Sequence, residues 1–298
     1  MQAIRGFVRV VEAGAFTRAA ESLQMPSATL SKQIQLLERH IGTKLLERTT
    51  RRVHVTSEGS TYYNRMRYLL AEVEEIETTL GRAKVAPRGH LRVDTGGSTA
   101  SVILIPAFPD FQAKYPEIQL QLGVTDRTVD VIGENIDCAI RITAHDPALI
   151  ARHIGLLSWT TCASPAYIAR YGVPSHPQQV VDGDFPVAGY FSHSSGAIQP
   201  IELLVRDEPL LIKPRHSILV NDSNAHLACA LAGLGLVHTL DFNVRPSIDR
   251  GDLVVVLKEF RAKPMEIFIV YPPSRARSTK VRVFSDWVTQ IFAGLVQH

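Results

Sequence analysis

Val8-Arg9-Val10-Val11-Glu12-Ala13-Gly14-Ala15-Phe16-Thr17-Arg18-Ala19-Ala20-Glu21-Ser22-Leu23-Gln24-Met25-Pro26-Ser27-Ala28-Thr29-Leu30-Ser31-Lys32-Gln33-Ile34-Gln35-Leu36-Leu37-Glu38 holds two helical patterns and the turn between them. Just upstream, Ile4 and Phe7 join Val8 and Val11 at helical spacing, so a first helix buries one side and stops at Gly14. A second helix is expected over about 16–23, with Ala19, Ala20 and Leu23 inward, where small alanines allow another helix to cross closely. Gln24-Met25-Pro26 makes the turn, and Ser27 is the expected N-cap of a third helix. Leu30, Ile34 and Leu37 form that helix's buried stripe, while Ala28, Ser31, Lys32 and Gln35 face outward. Two short helices, a tight turn and a small, polar outer face fit a reader of the DNA major groove.

Downstream, short apolar runs flank a polar, twice-basic tip: Lys44-Leu45-Leu46-Glu47-Arg48-Thr49-Thr50-Arg51-Arg52-Val53-His54-Val55-Thr56. This spacing predicts a β-hairpin wing whose Arg51 and Arg52 lie along phosphates or reach a minor groove. Charge agrees. Residues 1–90 hold 14 Lys/Arg and 9 Asp/Glu, a net +5, and residues 91–298 hold 18 and 20, a net −2. A basic front end suits a polyanion.

The set Val8-x-Val10-Val11-Glu12-Ala13-Gly14-Ala15-Phe16-Thr17-x-Ala19-Ala20-x-x-Leu23, Leu30-Ser31-x-Gln33-Ile34-x-x-Leu37-Glu38, Gly42-x-x-Leu45-Leu46-x-Arg48-Thr49-Thr50-Arg51 and Thr56-x-x-Gly59 resembles the signature of LysR-type transcriptional regulators. The resemblance implies an N-terminal all-α winged helix-turn-helix, a long linker helix, and an α/β effector domain of two lobes like a type 2 periplasmic binding protein. It implies DNA contacts from Thr17, Arg18, Ser27, Ala28, Thr29, Ser31, Lys32 and Gln35, and from Arg48, Thr49, Thr50, Arg51 and Arg52 at the wing. Lys32 stands where many members carry arginine, and a point-charge ammonium favours a phosphate or a single base acceptor over a bidentate guanine contact. Ala15 replaces the usual capping serine, at a cost of about 1 kcal/mol.

From Thr56, an expected cap, the chain reads Tyr62, Met66, Leu69, Leu70, Val73, Ile76 and Leu80 at three- and four-residue steps, close to a heptad seam. One long helix is expected to about 85, ended by Ala86-Pro87-Arg88-Gly89. With little of its own chain to bury against, it is expected to pair with a second copy. The resemblance adds a dimer or tetramer and allows RNA polymerase as a further partner. The expected division is 1–57 for the DNA-binding domain, 58–86 for the linker helix and 87–298 for the effector domain. Lobe one takes about 90–164 and 267–298, and lobe two about 165–266.

The remainder alternates short strands and helices, the α/β pattern. Thr95-Gly96-Gly97-Ser98-Thr99-Ala100-Ser101 follows a strand over 89–94 and leads into a helix over 102–113. Free amides and the positive end of the helix dipole make such a turn a ready anion site. In open α/β sheets ligands sit beyond the carboxyl ends of strands. Those ends nominate Ser98, Thr99, Ala100, Thr125, Arg141, Phe191, Ser192, His193, Asn221 and Ser223 as effector contacts, with Arg141 leaning toward a carboxylate or other anion. A hydrolase reading rests on Gly96-Gly97-Ser98-Thr99-Ala100, one residue off a nucleophile elbow, and no Asp…His pair follows in a supporting context.

Cys138, Cys162 and Cys229 are scattered, which fits buried thiols in a reducing compartment, and the eleven histidines show no metal-ligand spacing. No cofactor or metal is expected. No apolar run is long enough to cross a bilayer and the start lacks a signal-peptide pattern, so the expected location is cytoplasmic.

Overall fold

A computed structural model describes residues 1–48, 53–80, 87–142, 146–206, 208–260 and 262–295. The chain divides into two compact units, Met1–Val85 and Ala86–His298.

In the first unit, α1 (Gln2–Ala13), α2 (Phe16–Ser22) and α3 (Ser27–Ile41) precede a two-stranded antiparallel hairpin, β1 (Leu46–Arg48) and β2 (Val53–Val55), and then α4 (Ser57–Leu80). α1 and α3 both end on a left-handed glycine: Gly14 at φ 65° and Gly42 at φ 79°. The core is Phe7, Val10, Ala19, Leu30, Ile34, Leu45 and Leu46, the periodic apolar positions of the three helices and the hairpin entry. Glu38 ties α3 to that entry, its Oε1 accepting from the amides of Leu45 at 2.9 Å and Leu46 at 3.0 Å.

The start of α3 and the packing of α4 differ from expectation. Pro26, not Ser27, is the residue that flanks α3, and no side-chain hydroxyl caps the helix. Instead the Pro26 carbonyl accepts from the Leu30 amide at 3.1 Å, which draws Ser27 into the first helical turn. The front of α4 also buries against its own chain. Phe7 meets Tyr62 edge to face at 5.6 Å, and Met66 and Leu70 join the same core. Leu69, on another face, stays 51% exposed. Thr56 does cap α4, its Oγ1 accepting from the Gly59 amide at 2.9 Å. The last stretch expected in this helix, 81–86, lies outside the described residues.

The second unit runs β3 (Gly89–Thr95), a π-helical turn (Thr99–Leu104), α5 (Ile105–Lys114), β4 (Ile118–Val124), β5 (Cys138–Arg141), β6 (Ile150–Leu157), β7 (Trp159–Ala163), α6 (Pro165–Tyr171), α7 (Pro177–Val181), β8 (Val187–Tyr190), β9 (Ile201–Val205), β10 (Glu208–Ile212), β11 (His216–Val220), α8 (Ser223–Leu231), β12 (Val237–Leu240), α9 (Asp241–Asp249), β13 (Val254–Val255), β14 (Met265–Tyr271) and α10 (Thr279–Leu295). Its first sheet has the order β4-β3-β5-β14-β6, with β3 parallel to β4 and β5 and with β14 antiparallel to its neighbours. Leu91, Ile140, Ile267 and Ile269 from this sheet pack with Phe111 of α5 and with Phe284, Trp287 and Phe292 of α10.

The second lobe contains β12-β7-β13, the parallel pair β11-β8 and the hairpin β9-β10. A bridge between Val187 and Leu236 links β8 to the start of β12. β7 pairs with β12 and β13 in the second sheet, so the chain crosses between lobes at Ser158, not near 164 as expected. The return crossing precedes β14, which starts at Met265. The helix after β3 also begins at Thr99, earlier than 102, because the Gly96 carbonyl accepts from the Ala100 amide at 3.0 Å.

Candidate DNA-reading surface and effector cleft

On α3, Leu30, Ile34 and Leu37 are buried, and Ala28, Thr29, Lys32 and Gln35 are exposed. Ser27 and Ser31 are half-buried, and on α2 Thr17 and Arg18 are exposed. The residues expected to face DNA from these helices therefore share accessible surface, with a single ammonium and several small polar groups. Arg48 closes β1 opposite Val53, while Thr49, Thr50, Arg51 and Arg52 lie outside the described residues.

In the second unit a cavity of about 290 Å³ opens between the lobes. Of the residues nominated from sequence, Ser98, Thr99, Thr125, Arg141, Ser192, His193 and Ser223 line it. Three do not. Ala100 is buried in the helical turn at 1% exposure. Phe191 is held in a bridge to Ile198. Asn221 stands behind His193, its Nδ2 at 3.2 Å from the imidazole Nδ1, and so supports a lining residue instead of lining the cavity.

Residues that sequence reasoning missed include Asp126, Trp159, Tyr190, His226, His238 and Thr239. The rule that nominated Thr125, beyond the end of a parallel strand, extends to Asp126. It has no purchase on Trp159, because β7 runs antiparallel to β12 and presents its amino end to the cavity where β12 presents its carboxyl end.

The charges in the cleft are matched internally. Arg141 Nη2 donates to Asp94 Oδ1 at 2.5 Å and Nη1 donates to the Ile140 carbonyl at 3.0 Å. Burial pushes the Asp94 carboxyl up despite that guanidinium. Arg127 pairs with Glu134 at 3.2 Å. The amides at the start of the helix after β3 are not open either, since Gly97 N donates to Asp126 Oδ1 at 2.7 Å. Arg141 and the helix start, the two features that pointed to an anion, thus each have an acidic partner from the chain itself.

His238 stacks on Trp159, with ring centroids 5.0 Å apart and 7° between planes, and its Nδ1 meets the Thr161 hydroxyl at 2.9 Å. Burial, with a smaller contribution from His226, pushes its imidazole down to about 4. His226 is lowered by burial, against the opposing effect of the Ala188 carbonyl 2.8 Å from its Nε2. Both rings are neutral at pH 7. A histidine that folds neutral stabilises fully above its unfolded value of about 6.5, and the contribution falls as pH drops toward the folded value. Lowering the pH from 7.5 to 5 should therefore cost the second unit up to about 2 kcal/mol through His238. Thermal melts of wild type and His238→Gln at both pH values measure this. The variant should lose most of the difference, and an equal acid loss in both proteins would refute the assignment.

The thiols have no such exchangeable role. Burial raises Cys138, Cys162 and Cys229, Cys162 to about 12 with help from the Asp241 charge, so all three stay protonated. Among the described residues no group of His, Cys, Asp or Glu could hold a metal ion, and no helix is long and apolar enough to cross a membrane.

A helix-turn-helix with an accessible second helix, followed by a two-lobed α/β unit around a cleft that mixes apolar walls with hydroxyl and imidazole groups, defines a DNA-binding regulator that carries a substrate-binding domain. Comparison with known proteins gives the family. Residues 1–60 match the bacterial regulatory helix-turn-helix protein, lysR family, and residues 84–293 match the LysR substrate binding domain. The chain belongs to the LysR family of transcriptional regulators. It is 34% identical over 292 residues to the HTH-type transcriptional regulator YhjC of Escherichia coli, covering 98% of this chain and 97% of that one. It is 35% identical over 294 residues to an HTH-type transcriptional repressor of Pseudomonas aeruginosa, covering 98% and 92%. The solved structure of CrgA, a LysR-type regulator from Neisseria meningitidis, aligns with a TM-score of 0.63 at 29% identity over 98% of each chain.

Proposed function

We propose that this chain is a non-enzymatic regulator that reads a pseudo-palindromic operator with paired heads and responds to a small organic anion bound between its lobes. The observation that carries the DNA reading is α3, whose apolar face is buried while Ala28, Thr29, Lys32 and Gln35 remain exposed on the other. Pairing is supported by Leu69, exposed on α4 within an apolar seam that continues in sequence through Val73, Ile76 and Leu80. A lone head with so short and lightly charged a reading face discriminates poorly, so the spacing of two heads supplies the specificity. The effector reading is supported by the cleft, where hydroxyls, imidazoles and the starts of two helices converge. Thr17, Arg18, Ser27, Ser31, Arg48, Thr49, Thr50, Arg51 and Arg52 complete the DNA contacts in this reading. RNA polymerase is a further partner, and the location is cytoplasmic. The division into 1–57, 58–86 and 87–298 stands with it, the lobes changing at Ser158.

Effector binding then acts as a population shift: it biases the angle between lobes, and through the paired heads the bend of the DNA. A gel shift of the full chain on the DNA adjoining its own gene, repeated over a salt series, tests the reading. If Lys32, Arg48, Arg51 and Arg52 of two copies each neutralise a phosphate, log affinity should fall with log salt at a slope of about −7. Lys32→Ala should make that slope shallower by about 2. A flat salt response would remove the wing and α3 from the interface.

A further inference from the structure

We propose that Asp126 is an internal clasp: its carboxylate ties the two lobes together across the cleft and holds the place that an anionic effector takes when it displaces it. The first half stands on geometry alone, and the displacement rests on the anionic-effector reading above.

Asp126 lies two residues beyond the end of β4, in lobe one. Its Oδ1 accepts from Gly97 N at 2.7 Å in the same lobe, and its Oδ2 accepts from Ser223 N, the first residue of α8 in lobe two. One carboxylate therefore bridges the start of the helix after β3 and the start of α8. Both starts carry the positive end of a helix dipole, and like poles brought this close repel unless an anion lies between them. Among the described residues Asp126 is held by those two amides and by the Tyr190 phenol at the end of β8 in lobe two, and not by a cationic side chain, since Arg127 faces Glu134 and Arg141 faces Asp94. Its charge therefore serves donors of both lobes, the two amides and the Tyr190 phenol.

The surroundings are shaped to this contact. Ser98 N donates to Ser223 Oγ at 2.9 Å and Ser101 Oγ donates to Asn224 Oδ1 at 3.1 Å, both from lobe to lobe. A Cβ at Gly97 would sit 2.9 Å from Asn224 Nδ2 and 3.2 Å from Ser223 Oγ, and one at Gly96 would sit 2.9 Å from Asp126 Oδ1. The Gly96-Gly97 pair, which in sequence suggested an open anion cradle, thus gives Asp126, Ser223 and Asn224 their room at this contact. Asp126, Ser98 and Ser223 all line the cavity, so a ligand in the cleft meets the clasp directly. A ligand carboxylate has the same two oxygens and can take both amides. Asp126 then turns to solvent, and the link between lobes passes through the ligand.

Hydrogen–deuterium exchange on the full chain tests this, with wild type, Asp126→Ala and Asp126→Asn compared in sodium acetate and in sodium chloride at equal ionic strength. In Asp126→Ala, peptides covering 96–101 and 222–226 should exchange about tenfold faster than in wild type, the loss of a charge-assisted bond at each amide. Acetate, and not chloride, should slow them again, because it fills the vacated seat. Asp126→Asn, which keeps an oxygen acceptor without the charge, should fall between, and it carries the comparison if the alanine variant does not fold. Unchanged exchange in Asp126→Ala and Asp126→Asn would overturn the clasp. Faster exchange that acetate cannot reverse would overturn displacement by an external anion and leave the clasp in place. Failure of the regulator reading itself would show elsewhere, as absent duplex binding by wild type in the gel shift.

Discussion

Gly59→Ala is expected to unfold the DNA-binding unit and abolish duplex binding while the second unit keeps its own melting transition. Gly59 lies in the first turn of α4, against the strand entry of the wing. A Cβ there would stand 2.0 Å from the Leu45 carbonyl oxygen, 2.9 Å from the Leu45 carbonyl carbon and 3.0 Å from Val55 Cγ1. The obstacle is backbone and cannot yield cheaply. The same Leu45 carbonyl accepts from Thr56 N at 3.1 Å and from Thr56 Oγ1 at 3.2 Å, while Leu45 N is held by Glu38. Moving it would break the cap of α4 and the tie to α3 together. A cost of about 4 kcal/mol or more follows, within the whole stability expected of a small unit. Limited proteolysis and gel shift read the outcome. Binding at wild-type affinity would show that β1 can slide away from α4 without loss.

The second large effect belongs to Phe111→Ala. The Phe111 ring is fully buried and sits within 4.9–5.9 Å, centroid to centroid, of Phe108, Tyr115, Phe284 and Trp287. These rings join α5 to α10 over the first sheet. Truncation leaves a cavity lined by aromatic side chains that cannot all collapse, and should cost about 3–5 kcal/mol. For a unit of this size that is a fall of roughly 10 °C in its melting temperature. Phe111→Leu should lose well under half as much. A melting temperature within a degree of wild type for the alanine variant would show that the cluster repacks.

Much of this architecture is legible in the sequence because periodicity encodes it. Ile4, Phe7 and Val8, then Leu30, Ile34 and Leu37, recur at the helical repeat and form one core. Ile118–Val124 reads as a strand and is one. What sequence leaves hidden is set by partners distant along the chain. Nothing near Trp159 says that its strand pairs with β12 and β13 and not with the sheet before it. Helical spacing likewise could not show that Tyr62 finds its partner in α1 and Met66 joins the same core, because a seam that suits a second copy equally suits an adjacent helix. In the cleft, hydroxyls and a cation at strand ends were readable. Their neutralisation by Asp94 and Asp126 was not, since each acid lies far along the chain from a group it binds. The result reverses the electrostatic picture: groups chosen as an exposed positive seat are already compensated.

The passage from β6 to β7 is a single residue, Ser158, whose carbonyl accepts from Asp241 N at 2.8 Å. So short a joint leaves no slack along the chain. The sheets on either side can pivot about it but cannot slide past one another, which makes lobe movement a rotation with its fulcrum beside Trp159. In the proposed mechanism a displacement of ångströms at the Asp126 end of the cleft would be converted into an angle, the form of motion in which a short lever can be felt at a distance.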